Sequence, residues 1–239
     1  MMAMTVLDRL LHPGIERARR LMKIDDARTT STPDDPDPDL RRLASRPAHH
    51  GSALAGRIAS PPHIVSLVWT ITCLVTPTDP RTRLICLTVG LICLVAGPSL
   101  TLAVLLRSGS VSDEQVVRRT ERHRLYILIL AWIGAGALAL TGLGAPRQLL
   151  AVAAAMLTGV VLVAITTLAT KASLHLAVLA GAAVVLCLVW WPAGALCAAA
   201  VPLLAWARVD EGRHTRLQVL LGTALGALGG ASYLLYNID

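Results

Sequence analysis

From His63 onward the sequence is a succession of long apolar runs separated by short polar loops, and no other feature limits the available folds as much. Hydrocarbon offers no water to backbone amides, so a run that crosses a bilayer must close its hydrogen bonds within itself, as a helix. About twenty helical residues span the hydrocarbon core. On that measure the runs are Ile64 to Thr76, Leu84 to Leu106, Leu125 to Leu143, Leu149 to Ala169, Leu176 to Trp190, Ala193 to Ala207 and Leu217 to Tyr236. The expected fold is all-α, a polytopic transmembrane helical bundle of about seven spans. The first, fifth and sixth runs are short, so extension by flanking residues, local thinning or half-spanning has to be allowed, and six spans is the lower count. Trp190-Trp191-Pro192 reads as a hairpin between two of these runs, with two interfacial aromatics followed by a proline. Gly134 and the series Gly222, Gly226, Gly230 are small residues at helical spacing that permit close helix packing.

Composition agrees with that solvent: 54% of the residues are hydrophobic, 15% are charged, and the mean hydropathy is +0.62. A net charge of +7 would suit nucleic acid, but the chain has only eight Trp and Tyr, no Phe, and no basic stripe interleaved with aromatics. Cys73, Cys86, Cys93, Cys187 and Cys197 all lie inside apolar runs with no zinc spacing, and they read as small core residues. No metal site or cofactor is expected.

Residues 1 to 62 read as a polar tail. Met1 to Lys23 places Val6, Leu10, Leu11, Ile15 and Leu21 among basic residues, the pattern of either a helix lying on a membrane surface or a disordered lead-in. Thr29 to Asp39, rich in Pro and Asp, reads as a linker, and His49 and His50 read as solvated. The first sixty residues lack the apolar core of a cleavable signal peptide. Residues 63 to 239 form the expected transmembrane domain.

Three polar clusters interrupt the apolar sequence: Arg118 to Arg124, Lys171 to His175, and Arg208 to Gln218. Two spans separate each cluster from the next, so all three share one membrane face. That face and the tail carry 19 of the 22 Lys and Arg, while the opposite loops hold only Arg81, Arg83 and Arg147. By the positive-inside rule the tail and the clusters face the cytoplasm, and seven spans would leave Asp239 outside.

The clusters bring together Arg118, Arg119, Arg122, Arg124, Lys171, Arg208 and Arg213 with Ser173, His175 and His214, and few acids to neutralise them. Charged groups beside lipid are costly and mark functional sites. The planar guanidinium matches phosphate oxygens with paired hydrogen bonds, so converging arginines imply an anionic ligand such as a phosphorylated lipid. Histidine can serve as nucleophile or as general acid, because both of its protonation states exist near neutrality. Two histidines in an arginine cage suggest that one attacks phosphorus while the other protonates the departing oxygen.

Arg208, five residues, His214 and then Gln218-Val-Leu-Leu-Gly222 resembles the third signature of the type 2 phosphatidic acid phosphatase superfamily. Lys171-Ala-Ser173-Leu-His175 resembles its second signature. Ser112-Asp113 through Arg119 and Arg122 resembles the first, in a bacterial and archaeal branch. The resemblance covers about residues 100 to 230 and implies a multi-pass protein of a bacterial plasma membrane that hydrolyses a lipid phosphate or prenyl diphosphate. By the same resemblance Arg119, Arg122, Lys171, Ser173 and Arg208 hold the phosphate. His214 is the nucleophile that forms a phosphohistidine, His175 is the general acid, Gln218 orients His214, and no metal is required. Besides this substrate, membrane lipids are the implied partners, and nothing in the sequence sets the oligomeric state.

The chain departs from the family pattern at Ala207, where the family has Ser; at Leu174, where it has Gly; at Gln115, where it has Lys; and at Gln218, where it has Asp. A Gln carbonyl can hold the imidazole but supplies no charge to stabilise the imidazolium, so positioning survives and reactivity falls. These departures keep open a second reading, a catalytically impaired lipid-phosphate-binding membrane protein of the same fold. A small transporter, the third reading, would carry an inverted repeat, and none is visible in the spans.

Overall fold

The structure, a computed structural model, describes residues 50 to 108 and 119 to 237, except for the side chains of residues 50, 53 and 119 to 123. Every regular element among them is a helix. In chain order these are α1 (His50–Ile58), α2 (Pro61–Val75), the continuous α3 (Pro80–Arg107), α4 (Arg119–Gly142), α5 (Arg147–Ala169), α6 (Leu174–Val189), α7 (Trp191–Asp210), α8 (Arg216–Ala231) and the single turn α9 (Tyr233–Tyr236). The surface helix expected within residues 1 to 23 and the linker at 29 to 39 lie outside the described residues.

Local chemistry sets the helix ends. Pro61 and Pro62 open α2 behind Ser60, in positions whose N–H groups have no partner in any helix. Asp79 caps α3, its carboxylate accepting from the N–H groups of Arg81 and Thr82 at 3.0 Å, with Pro80 at the first position. Trp190 alone links α6 to α7, and Pro192 sits in the first turn of α7, which is the hairpin expected at Trp190-Trp191-Pro192.

Each of the seven apolar runs corresponds to a helix, but they divide by length. Pro80–Arg107, Arg124–Gly142, Arg147–Ala169, Trp191–Asp210 and Arg216–Tyr236 are long and apolar enough to cross a membrane. α2 and α6, with 15 and 16 residues, reach only about 22 to 24 Å at 1.5 Å per residue, against a hydrocarbon core of roughly 30 Å. α6 is short because it is the central helix. It packs on α8, α7, α2 and α5, and Leu176, Leu179, Ala182, Val185 and Leu186 are all buried, so most of its length is covered by other helices. The outer surface is apolar, with Leu138, Leu196, Leu228 and Ile165 among many large exposed side chains, the kind of surface that faces lipid.

The expected small-residue stripe on α8 is the tightest interface described. Gly222, Gly226 and Gly230 lie against Ser173, Ala177 and Gly181 of α6, two rows at four-residue spacing, and Gly229 lies against Gly159 of α5. A Cβ on Gly226 would collide with the Ala177 backbone, so only glycine lets the two helices approach this closely. Gly134 behaves differently: a Cβ there would meet nothing within 4 Å, so it is not a packing contact among the described residues.

The helix ends gather in two places. At one end Thr76, Pro146, Arg147 and Asn237 line a recess of about 320 Å³, and Arg147 donates to the Tyr236 carbonyl. At the other end the Ser173 N–H donates to the Gln218 carbonyl at 3.1 Å, tying the α5–α6 loop to the start of α8. α1, in a stretch expected to be polar tail, is a helix that packs along α7 at this second end.

Midway along α3, Leu91–Ala96 forms a π-helical turn in which Gly97 donates back to the Ile92 carbonyl. Pro98 follows immediately and has no N–H to continue the regular ladder, a sufficient local cause for the wider turn.

Candidate functional site

The loop from Glu211 to Thr215 is built from two standard helix terminations placed back to back. α7 closes with a Schellman motif: the Gly212 N–H donates to the Val209 carbonyl at 3.0 Å and the Arg213 N–H to the Arg208 carbonyl at 3.2 Å, with Gly212 at φ +64°. α8 opens with a capping box. The Thr215 hydroxyl accepts from the Gln218 N–H, and Gln218 Oε1 accepts from the Thr215 N–H, both at 3.4 Å. His214 is the residue between the two devices, its own N–H held by the Arg208 carbonyl at 3.2 Å. The spacing from Arg208 to His214 is thus what one C-cap and one N-cap in succession require.

Gln218 Oε1 also stands 3.2 Å from His214 Nδ1. An amide oxygen can only accept, so in this contact the imidazole carries its proton on Nδ1 and its lone pair on Nε2. The orientation of His214 expected from the sequence is present, and the same oxygen has a second duty in the cap. Because Gly212 must take a left-handed conformation, Gly212→Ala is expected to cost about 1 kcal/mol and to lower the thermal midpoint of the purified protein by a few degrees. An unchanged midpoint would show that the loop tolerates another termination.

His175 occupies the first turn of α6, ahead of its apolar stretch, and with His214 lines a cavity of about 1030 Å³. Arg213, Glu211, Arg57, Ser60 and His63 complete the polar part of its wall. The rest is mostly apolar, with Leu94, Leu102, Ile129, Met156, Val163 and Val178 among the lining, drawn from α3, α4, α5 and α6, along with Ser99 and Tyr126. Burial holds the His175 pKa well below the usual imidazole value, and the positive charges of Arg208, His214 and Arg213 push it the same way. His175 is therefore neutral at pH 7 in this site.

The phosphate-binding set expected from the sequence is brought together only in part. Arg208 is 1% exposed and already engaged, Nη1 with Glu211 Oε2 at 3.1 Å and Nη2 with the Gly56 carbonyl of α1 at 2.9 Å. The expectation of few neutralising acids overlooked Glu211, three residues along the last turn of α7 and on the same face as Arg208. Ser173 is fully buried, its Oγ has no hydrogen-bond partner among the described residues, and it is not part of the cavity lining. Lys171 is partly buried in the same short loop, also outside the lining. Arg119 and Arg122 belong to the first turn of α4, but their side chains lie outside the described residues, as do Ser112, Asp113, Gln115 and Arg118 altogether.

Of the other departures, Ala207 is fully buried, and Leu174 opens α6 and lines the cavity. Among the described residues no group of three or more His, Cys, Asp and Glu is placed to hold a metal ion. Arg57, His63, Glu211, Thr215 and the capping role of Gln218 are the site features that the sequence reading passed over. The capping box was legible as Thr215, two residues, Gln218. The first two lay in a stretch assigned to the tail or to the start of a span. No family model matches the chain, and neither a curated protein nor a solved structure matches it.

Proposed function

We propose that the chain is a membrane-embedded phosphohydrolase acting on a lipid phosphate or prenyl diphosphate, with His214 as nucleophile. One observation carries the reading: His214, its Nδ1 held by Gln218, shares with His175 and Arg213 the polar part of a cavity that is mostly apolar elsewhere. Such a cavity suits an amphiphile, with its tail among Leu94, Ile129, Met156 and Val178 and its phosphate at the histidines. His214 Nε2 attacks phosphorus, the bond to the departing oxygen breaks, and water then hydrolyses the phosphohistidine. Arg213, with Arg208 once phosphate displaces Glu211, balances the charge that builds on the transferring group. The charge asymmetry of the sequence supports a cytoplasmic orientation for this end of the bundle. Phosphate release from a panel of phosphatidate, prenyl phosphates and prenyl diphosphates tests the reading, and a purified protein inert on all of them would overturn it.

The hydrogen bond from His214 to Gln218 lacks a negative charge at its far end. Gln218→Glu keeps the side-chain length and the capping box while adding that charge, so turnover is expected to rise about tenfold. An unchanged or lower rate would show that imidazole basicity is not limiting.

His175 supplies a pH test. Its pKa is depressed, so its protonated form is scarce at neutrality and grows as pH falls. For a lipid monophosphate, whose leaving alkoxide needs a proton, kcat/KM is expected to climb as pH is lowered from about 8 to 5, and His175→Asn to remove that climb. A pH dependence retained by His175→Asn would assign the acid elsewhere.

The second reading, a lipid-phosphate-binding protein without turnover, is favoured by the Arg208 contacts with Glu211 and Gly56, which occupy the guanidinium that phosphate would need. Binding of the panel without release would establish it.

A further inference from the structure

The polar end of the cavity has two walls, and only one belongs to the two histidine loops. The other is the junction between α1 and α2. Arg57 is the last basic residue of α1, and His63 lies in the first turn of α2. Both line the cavity that His175, His214 and Arg213 also line.

This wall is anchored rather than loosely apposed. The Gly56 carbonyl accepts from Arg208 Nη2 at 2.9 Å in a buried contact, so the residue before Arg57 is fastened to the element that presents His214. His63 Nδ1 lies 2.8 Å from the Ser60 hydroxyl, and with that hydroxyl donating to Nδ1 the ring carries its proton on Nε2, which can then donate to an anion; the Arg57 carbonyl, 3.3 Å from Nδ1, flanks the ring. The Arg57 guanidinium is solvent-accessible and, among the described residues, makes no ion pair or side-chain hydrogen bond. Arg57 and His63 therefore line the same cavity as the nucleophile, from a different pair of helices.

One phosphate group on His214, with Arg213 beside it, does not use these two residues. We propose that Arg57 and His63 form a second anion subsite that holds the inner phosphate of a lipid diphosphate, making diphosphates the substrate class of this site. The proposal rests on the phosphohydrolase reading for its chemistry, while the subsite itself is a claim about binding.

The chemistry is consistent. His214 Nε2 attacks the terminal phosphorus, the bridging P–O bond breaks, and its electron pair goes to the lipid monophosphate that leaves. Water then cleaves the phosphohistidine to inorganic phosphate and restores the imidazole. A phosphate leaving group is far less basic than an alkoxide and needs cationic stabilisation rather than a full proton, which Arg57 supplies. The neutrality of His175 hampers an alcohol leaving group and leaves this step unaffected.

The test uses the full-length protein in lipid nanodiscs, with radiolabelled farnesyl diphosphate and farnesyl monophosphate as probes. Retention of each is measured beside phosphate release, for the parent protein and for Arg57→Gln, Arg57→Lys and His63→Asn. The expected result is tighter binding of the diphosphate by the parent protein and a fall of about tenfold in the diphosphate-to-monophosphate ratio for Arg57→Gln, in binding and in kcat/KM alike. Arg57→Lys should recover part of that ratio, which a merely structural effect on α1 would not allow. Equal binding of the two probes by the parent protein, or ratios unchanged in the variants, overturns the subsite even where release is strong. Preferential diphosphate binding that depends on Arg57, without release from either probe, supports the subsite and overturns the hydrolase.

Discussion

His214→Ala is expected to slow phosphate release from a prenyl diphosphate by at least about 10⁴-fold while leaving the probe bound. The size of the effect follows from the role: a nucleophile that forms the covalent intermediate has no neighbour able to replace it. His175 is the nearest candidate, but it sits on another loop and is not held by Gln218. The substitution should also be structurally mild. His214 lies between the C-cap of α7 and the N-cap of α8, and the hydrogen bonds of both devices come from other residues or from backbone N–H groups that alanine retains. Circular dichroism and the thermal midpoint of the variant are therefore expected to match those of the parent, separating lost chemistry from lost structure. Mixing with labelled substrate and quenching in base should yield phosphoprotein from the parent and none from His214→Ala. Release within tenfold of the parent rate would remove His214 from the nucleophile role.

Much of the helical layout was legible because lipid imposes one rule on every apolar run, so the seven helices α2 to α8 start and stop within about six residues of their expected limits, with α4 reaching further toward its N-terminus and α8 stopping short of Tyr236. Their lengths were not all legible as spans. Hydropathy cannot distinguish a helix that faces lipid from one, like α6, that is wrapped by four others. The cluster from Arg208 to Gln218 was recognised for its chemistry, yet its spacing has a local cause, since Gly212 and Thr215 end one helix and start the next. That double meaning was available in the sequence, through the glycine in the loop and the Gln three residues after Thr215. The engagement of Arg208 was half visible: Glu211 lies three residues on, but the Gly56 carbonyl comes from 152 positions away and no periodicity announces it. α1 escaped notice because a nine-residue stretch with two glycines and a serine has low helix propensity, and packing against α7 outweighs that deficit.

Gly226→Leu is expected to abolish the assembled bundle, whereas Gly134→Leu should leave it nearly unaffected. Both glycines lie within apolar helices and look alike in sequence, so the contrast isolates what the backbone around each permits. At Gly226 the first side-chain carbon would meet the Ala177 carbonyl carbon, carbonyl oxygen and Cα, which are backbone atoms that no rotamer change can move aside. Gly222 against Ser173 and Gly230 against Gly181 make the same approach one turn away on either side, so α8 cannot tilt out locally and must retreat as a whole. Even an added methyl in a packed core costs about 1 to 3 kcal/mol, and inside a membrane close van der Waals contact is a main force between helices, so a leucine removes most of what joins α8 to α6. The retreat would also break the hydrogen bond from the Ser173 N–H to the Gln218 carbonyl, separating the two loops that present His175 and His214. Gly226→Ala should therefore fold with a lowered thermal midpoint and with phosphate release reduced further than the midpoint alone would indicate. At Gly134 the added atoms enter open space and the helix gains from losing a glycine, so the midpoint should hold or rise slightly. Thermal unfolding of the detergent-purified variants, with size-exclusion profiles to score assembly, decides the matter: similar behaviour at the two positions would mean that the glycine row of α8 does not set the distance between the histidine loops.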